Sequence, residues 1–382
     1  MVNGMPKGLY IHIPFCDHIC TYCDFPKLLT KGQRHAEYIE ALIQELKLYQ
    51  QNVGFSNLQS IYIGGGTPTA LSVEQIQPLF DFLTEQIQMN QIQEFSIEAN
   101  PENLTRDKIQ YLKAQGVNRF SLGVQTFHES LLKRIGRKHQ AQEVIQAVAN
   151  LKQCGIKNIN LDLIYAIPGQ TLDELRDDLR QVISLEVEHI SAYSLIVEEH
   201  TQLYLAYMRD QIELTDNEIE AKMYEVTIET LTEAGYEHYE ISNFAKSKPS
   251  LHNQWYWKNE TYIGVGLGAH GYVKGQRYQN TRSINTYIEL LKDGKLPMIE
   301  SHALTKEEMI EEEMFLGLRL LKGVNLKAIS DKYDVNIDEI YGKAFEELIQ
   351  KGYLEQKELN VRLTPSGLLM ANEVFEQFLL SI

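Results

Sequence analysis

The sequence predicts an α/β protein built on a parallel sheet, with a small helical unit behind it. Two observations point to the sheet. Between residues 8 and 234, short apolar runs alternate six times with stretches of helical period, the pattern of β-α units whose helices lie over a parallel sheet. The runs also read as apolar on both faces, as strands buried between layers do. A third observation concerns the end of the chain. From about residue 302 the order becomes helices, a hairpin and a last helix, the order of a winged helix. Periodicity alone leaves an open sheet and a partial barrel both standing.

The elements follow in order. Residues 8–15 are a short strand. A helix over 34–51 carries Ala36, Ile39, Leu42, Ile43 and Leu46 on one face. Residues 60–63 are a second strand, ending in Gly64-Gly65-Gly66-Thr67-Pro68. Ser72 caps a helix to about 88, and Thr105 caps one that stops near Gly116, with a third strand over 95–98 between them. A fourth strand spans 119–125, and 128–153 holds a short and a longer helix. A fifth strand spans 158–167, with a helix over 171–186. A sixth spans 190–197, with a helix over 216–234. In the C-terminal part, helices are expected over 304–321, 326–333 and 337–351, then a two-stranded wing over 352–364 and a helix from Ser366. The expected units are 1–240, a connecting segment 241–301, and 302–382.

A chain of 382 residues suits one large domain and a smaller one. Its formal net charge of -16 gives no broad footprint for nucleic acid. The basic run Lys133 to His139 reads either as a local patch or as a helix end that favours cations. No apolar run reaches membrane-spanning length, and the polar N-terminus has no signal-peptide pattern. Four cysteines, three of them clustered, make no disulfide framework and suit a reducing cytoplasm. Cys154 stands apart and reads as a core thiol.

Cys16, Cys20 and Cys23 share the loop after the first strand. Three thiolates on one short loop can hold three corners of an iron–sulfur cubane, leaving the fourth iron open. The alternative is a structural zinc completed by His12 or His18. Other polar residues gather at strand ends: the triple glycine, Glu98, Gln125 and Asp162. In a barrel they face one mouth, where such folds carry their chemistry.

The spacing C-x3-C-x2-C in its aromatic context resembles the signature of the radical S-adenosylmethionine (SAM) family. The resemblance implies a six-stranded partial barrel of TIM-like (β/α)6 type. It also implies a [4Fe-4S] cluster on Cys16, Cys20 and Cys23, with SAM on the open iron. By position in the motifs, Gly65, Gly66 and Thr67 take the role of contacting the SAM methionine, and Glu98 that of accepting from the ribose. The stretches holding Gln125, Arg137 and Asp162, with Tyr10 and Tyr22 flanking the cluster, resemble one branch of that family. It contains the oxygen-independent coproporphyrinogen III oxidases of porphyrin biosynthesis and the HemW-type haem chaperones. Phe25 stands where the oxidases carry a fourth cysteine, and the chain starts almost on its first strand, without their N-terminal extension. Both departures favour the chaperone type over the enzyme.

Both tryptophans lie in His252-Asn253-Gln254-Trp255-Tyr256-Trp257, which resembles the H-N-x-x-Y-W motif of the haem chaperones. An imidazole can ligate haem iron and aromatic rings can wall a porphyrin. The resemblance therefore implies a haem site at His252, Asn253, Tyr256 and Trp257; the other reading is an aromatic core cluster. The glycine-rich stretch 262–271 reads as a close-packed lid or strand beside the mouth, and His270 in it is an alternative haem ligand. Residues 301–382 carry 9 Lys/Arg against 15 Asp/Glu, so the wing reads as a docking module or cover, and a DNA-binding regulator with a redox cluster is disfavoured. The expected partners are haem and a haem-accepting protein, a membrane-associated one among the options. The expected state is a monomer or dimer.

Overall fold

A computed structural model of the chain describes residues 4–380. Six parallel strands follow one another: β1 (Gly8–Ile13), β2 (Ser60–Gly65), β3 (Glu94–Ala99), β4 (Arg119–Gln125), β5 (Asn158–Tyr165) and β6 (His189–Ser194). Six more extend the sheet: β7 (Glu237–Glu240), β8 (Asn243–Ala245), β9 (Tyr262–Val265), β10 (His270–Val273), β11 (Gln276–Asn280) and β12 (Met298–Ala303). The order across the sheet is β12-β11-β10-β9-β1-β2-β3-β4-β5-β6-β8-β7. β1 pairs with β9 rather than β6, and β6 pairs with β8. The six-stranded barrel therefore stays partial.

Local chemistry sets the helix starts. Ser72 and Thr171 open helices Val73–Gln86 and Leu172–Ser184 with capping boxes, and Thr105 and Asp216 cap Arg106–Ala114 and Asn217–Glu233. Each side-chain oxygen takes up a backbone N–H that the helix leaves without a partner. A short helix, Gln202–Tyr207, lies beyond β6 where the sequence suggested none. Among the described residues no helix is long and apolar enough to cross a membrane.

One expectation is corrected. The barrel strands are apolar on one face only. Leu9, Ile11 and Ile13 of β1 enter the core that the outer helices cover. The alternate positions face inward and are polar: Tyr10 and His12, Ser96 and Glu98, Arg119 and Ser121, Asn160 and Asp162, His189 and Ser191. A sheet between two helix layers needs two apolar faces. A curled sheet with helices on its outer side alone needs one, and its concave side can hold polar groups that bond one another.

The C-terminal helices Lys306–Gly317, Leu326–Tyr333 and Ile337–Gln350 pack with strands Val324–Asn325, Leu354–Lys357 and Asn360–Leu363 around a separate core that includes Met314, Tyr341, Phe345 and Phe378. Backbone bonds from Ile241 to Arg319 (3.2 Å) and from Leu321 to Tyr239 (3.1 Å) tie this unit to the sheet.

Candidate functional site

The cysteine loop leaves β1 as a closed arch. Phe15–Cys16 pairs in parallel with Leu28–Leu29. The amide of Leu28 donates to Pro14 (2.7 Å), and that of Thr21 donates to Ile135 (3.0 Å), pinning the tip to a neighbouring loop. Cys16, Cys20 and Cys23 are free thiols that line one cavity of about 420 Å³ with Arg137 and Asp162. Burial pushes the Cys16 thiol up to about 11; a coordinated metal turns such a thiol into thiolate. Among the described residues no three metal-binding side chains converge on a single ion. A cubane makes a different demand, because each thiolate binds a separate iron. His12, which a zinc reading would recruit, accepts from Tyr10 at Nδ1 (2.9 Å) and donates from Nε2 to Pro26 (2.7 Å). Cys154 is half-buried against the outer core, away from the loop.

The glycine turn packs against this loop. A side chain at Gly66 would meet the Cys16 sulfur at 3.0 Å, and one at Gly65, where φ is +110°, would strike the His12 ring. Small residues here let the chain pass beside the thiols. The Gly65 amide and the Tyr62 hydroxyl each donate to Glu98 at 2.9 Å. Burial raises Glu98 to about 7 against those two bonds. Thr67 is buried and accepts from Asn100 (3.4 Å).

Gln125 ends β4 with φ at 67°, a left-handed backbone in a non-glycine residue, which marks a locally constrained strand end. Arg137 donates to Asn100 (2.8 Å) and to the Gly123 carbonyl (2.7 Å), while its buried Nε has no hydrogen-bond partner. Asp162 lies inside β5 rather than at its end. It accepts from Ser121 (3.1 Å) and Asn160 (2.7 Å), and burial raises its pKa. Gly65, Gly66, Thr67, Glu98 and Gln125 therefore join Tyr22, Arg137 and Asp162 around the cysteine cavity. Tyr10 does not: it lies deeper, stacked on Tyr62 at 6.1 Å.

A second cavity, about 460 Å³, adjoins the first and shares Asp24, Phe25, Tyr62, Glu98 and Tyr193 with it. Its base is the short helix Leu251–Trp257, which plugs the N-terminal end of the barrel. Glu94, first residue of β3, accepts from the amides of Leu251 (2.9 Å) and His252 (3.1 Å). His252 is buried, and both ring nitrogens are engaged, Nδ1 with Ser60 (2.8 Å) and Nε2 with Tyr256 (2.8 Å). Ligation of iron by His252 would require one of those bonds to break. His252, Asn253 and Tyr256 line the cavity, but Trp257 points elsewhere, under the Arg319 guanidinium at 4.3 Å in a groove against the C-terminal unit. The expected haem residues thus divide between two surfaces.

The radical SAM superfamily profile matches residues 10–182, and the HemN C-terminal domain profile matches residues 304–370. A Bacillus subtilis (strain 168) protein named Heme chaperone HemW is 44% identical over 375 residues, covering 98% of this chain and 99% of that one. A Lactococcus lactis subsp. lactis (strain IL1403) protein of the same name is 42% identical, covering 98% of each. The chain belongs to the HemW family of the radical SAM superfamily. Coproporphyrinogen III oxidase (HemN) from Escherichia coli has the same fold, with a TM-score of 0.86 over 99% of this chain and 91% of that one at 24% identity.

Within this HemW-family chain, sequence reasoning missed Asn100, Tyr62 and Glu94. Asn100 and Tyr62 position Arg137 and Glu98, and Glu94 holds the floor helix. The available signal was alternation: Tyr62 sits two residues from Gly64, and Asn100 two from Glu98, on the inward phase of their strands.

Proposed function

We propose that this protein is a haem chaperone that carries a [4Fe-4S] cluster on Cys16, Cys20 and Cys23, takes up SAM beside it, and passes haem to an acceptor protein in the cytoplasm. The observation that carries this reading is the pair of adjoining cavities, one faced by three thiols and the other walled by tyrosine rings. The relatives' name supports the haem cargo. The cluster supplies an open iron for SAM and, when reduced, an electron. The chain's own residues then have distinct tasks. Gly65, Gly66 and Thr67 allow close approach of the SAM methionine, Glu98 accepts from its ribose, and Gln125 and Asp162 border the rest of the ligand. Tyr22 walls the site. Arg137, with an unmet buried donor, offsets negative charge on the thiolates and the SAM carboxylate. Tyr10 supports Tyr62 from below. Haem lies in the second cavity against Asn253 and Tyr256, with His252 beneath it, and Trp257 contributes to docking of the C-terminal unit. The acidic C-terminal unit suits a protein partner rather than nucleic acid.

The oxidase reading stands second. Phe25, 60% exposed, stands where that pattern carries a cysteine, and a shared fold does not carry a shared activity. The test is anaerobic reconstitution with iron, sulfide and SAM, followed by haem titration. Cys16→Ala, Cys20→Ala and Cys23→Ala are expected to lose cluster absorbance yet bind haem, and Cys154→Ala to keep both. Bound zinc without iron would overturn the cluster, and no haem binding would overturn the chaperone. Sustained oxidation of coproporphyrinogen would move the oxidase to first place.

A further inference from the structure

We propose that His270, rather than His252, is the axial ligand of the haem iron, with Arg282 facing a haem propionate across the same cavity. The inference rests on the haem-chaperone reading and names the residues that would execute it.

Haem makes three chemical demands: a nitrogen or sulfur donor for iron, apolar or aromatic cover for the ring, and cations for its carboxylates. The second cavity meets all three. Tyr10, Tyr62, Tyr256, Tyr262 and Phe25 wall it. Tyr256 and Tyr262 pack edge to face at 4.6 Å, so their rings are mutually fixed. His252 and His12 also line it, but each has both ring nitrogens bonded within the protein. His270 lines it with neither ring nitrogen hydrogen-bonded among the described residues, and it is exposed.

The backbone at His270 is held firmly, as a ligand's must be. It starts β10 in register with Gln279. The turn before it uses Gly266 and Gly268, with φ of +101° and +65°, and the Ala269 amide returns to Gly266 at 3.2 Å. At Gly264 a side chain would collide with the His270 carbonyl, so the glycine-rich stretch brings this residue tight against β9.

Arg282 completes the set. One of its nitrogens donates to the Asp24 carbonyl at 2.6 Å. That bond ties the cysteine loop to the cavity rim. A guanidinium has five N–H donors, so others remain for a carboxylate. Arg282 has no carboxylate partner within ion-pair distance among the described residues.

The test is a haem titration of the full-length chain, read by absorbance, on wild type, His270→Ala, His270→Cys, His252→Ala and Arg282→Glu. His270→Ala is expected to move the Soret band and weaken binding by about tenfold or more, at least as much as losing an outer-shell partner costs a metal site. His270→Cys should produce a band position of its own, because a thiolate replaces an imidazole. His252→Ala, which loses a cavity wall and the bond to Tyr256 but no iron ligand, should keep the wild-type band position with a smaller loss of affinity than His270→Ala, and Arg282→Glu should weaken binding without moving the band. Cluster absorbance and unfolding midpoint of the His270 variants should match wild type. A wild-type band and affinity in both His270 variants would overturn the inference while leaving the chaperone reading intact. Failure of wild type to bind haem would overturn that reading, and this inference with it.

Discussion

Both ends of the partial barrel are polar, and they differ in how their polar atoms are partnered. At the floor, Glu94 takes the amides of Leu251 and His252 and faces Arg119 at 3.9 Å. His252 bridges Ser60 and Tyr256, and His189 bridges Asn160 (2.6 Å) and Tyr239 (2.8 Å). At the mouth, three thiols line an open cavity, and beside them the Arg137 Nε and the His18 Nε2 have no hydrogen-bond partner; at the floor the Arg119 Nε also lacks one, but the Glu94 carboxylate faces it. Polar residues at a strand end do not by themselves mark a site. Unmet bonding capacity that faces a cavity beside three thiols does, because most buried polar atoms of a folded chain find partners.

The largest effect that would break this comparison belongs to Glu94. Glu94→Gln removes the charge opposite Arg119, which is 2% exposed, and weakens the anchor of the floor helix. Removing one partner of a buried ion pair costs about 3–5 kcal/mol, so urea unfolding should show a loss of that order. Cys16→Ala at the mouth should abolish cluster absorbance and change stability by only about 1 kcal/mol. A neutral Glu94→Gln would mean that the floor is no keystone.

A smaller effect sharpens the mouth. Glu98→Ala and Asp162→Ala should each weaken SAM binding by about 1–3 kcal/mol in calorimetric titration, the range for a hydrogen bond to a charged group. His252→Ala, at the floor, should leave SAM affinity near wild type in the folded protein. Unchanged SAM affinity in both carboxylate variants would put the ligand elsewhere.

Most of the fold was legible because its signals are local. Ser72 and Thr105 cap where their sequence context says, and the cysteine loop follows the first strand. The inward polar face was harder to read, since tyrosine counts as apolar in a periodicity scan; yet Tyr10 and His12, or Tyr62 and Gly64, alternate with aliphatic neighbours. The task of His252 was not legible. Ser250 caps its helix locally, but the Leu251 and His252 amides are held by Glu94, more than 150 residues earlier in the chain, and no local pattern says which partners a histidine will meet across that distance. Trp257 shares the motif but faces Arg319, because seven helical residues point in all directions around their axis.

The smallest expected effect separates a site carboxylate from a structural one. Burial raises Glu98 at the mouth from its ordinary 4.5 to about 7, and burial does the same to Glu45. Glu45 accepts from Gly266 (2.8 Å) and Asn280 (2.7 Å) deep in the fold, away from both cavities. For either residue the folded chain keeps a proton that the unfolded chain has released between pH 4.5 and about 7. The corresponding stability is present below the lower value and is lost as pH rises through the upper one. The thermal midpoint of the ligand-free protein should therefore fall across that window, and Glu98→Gln or Glu45→Gln should each flatten part of the fall. SAM then distinguishes them. Ribose hydroxyls donating to Glu98 favour its charged form, so saturating SAM should remove the Glu98 share and leave the Glu45 share. If SAM flattens the profile of Glu98→Gln as much as that of wild type, Glu98 does not meet the ligand, and the mouth carboxylate is as structural as Glu45.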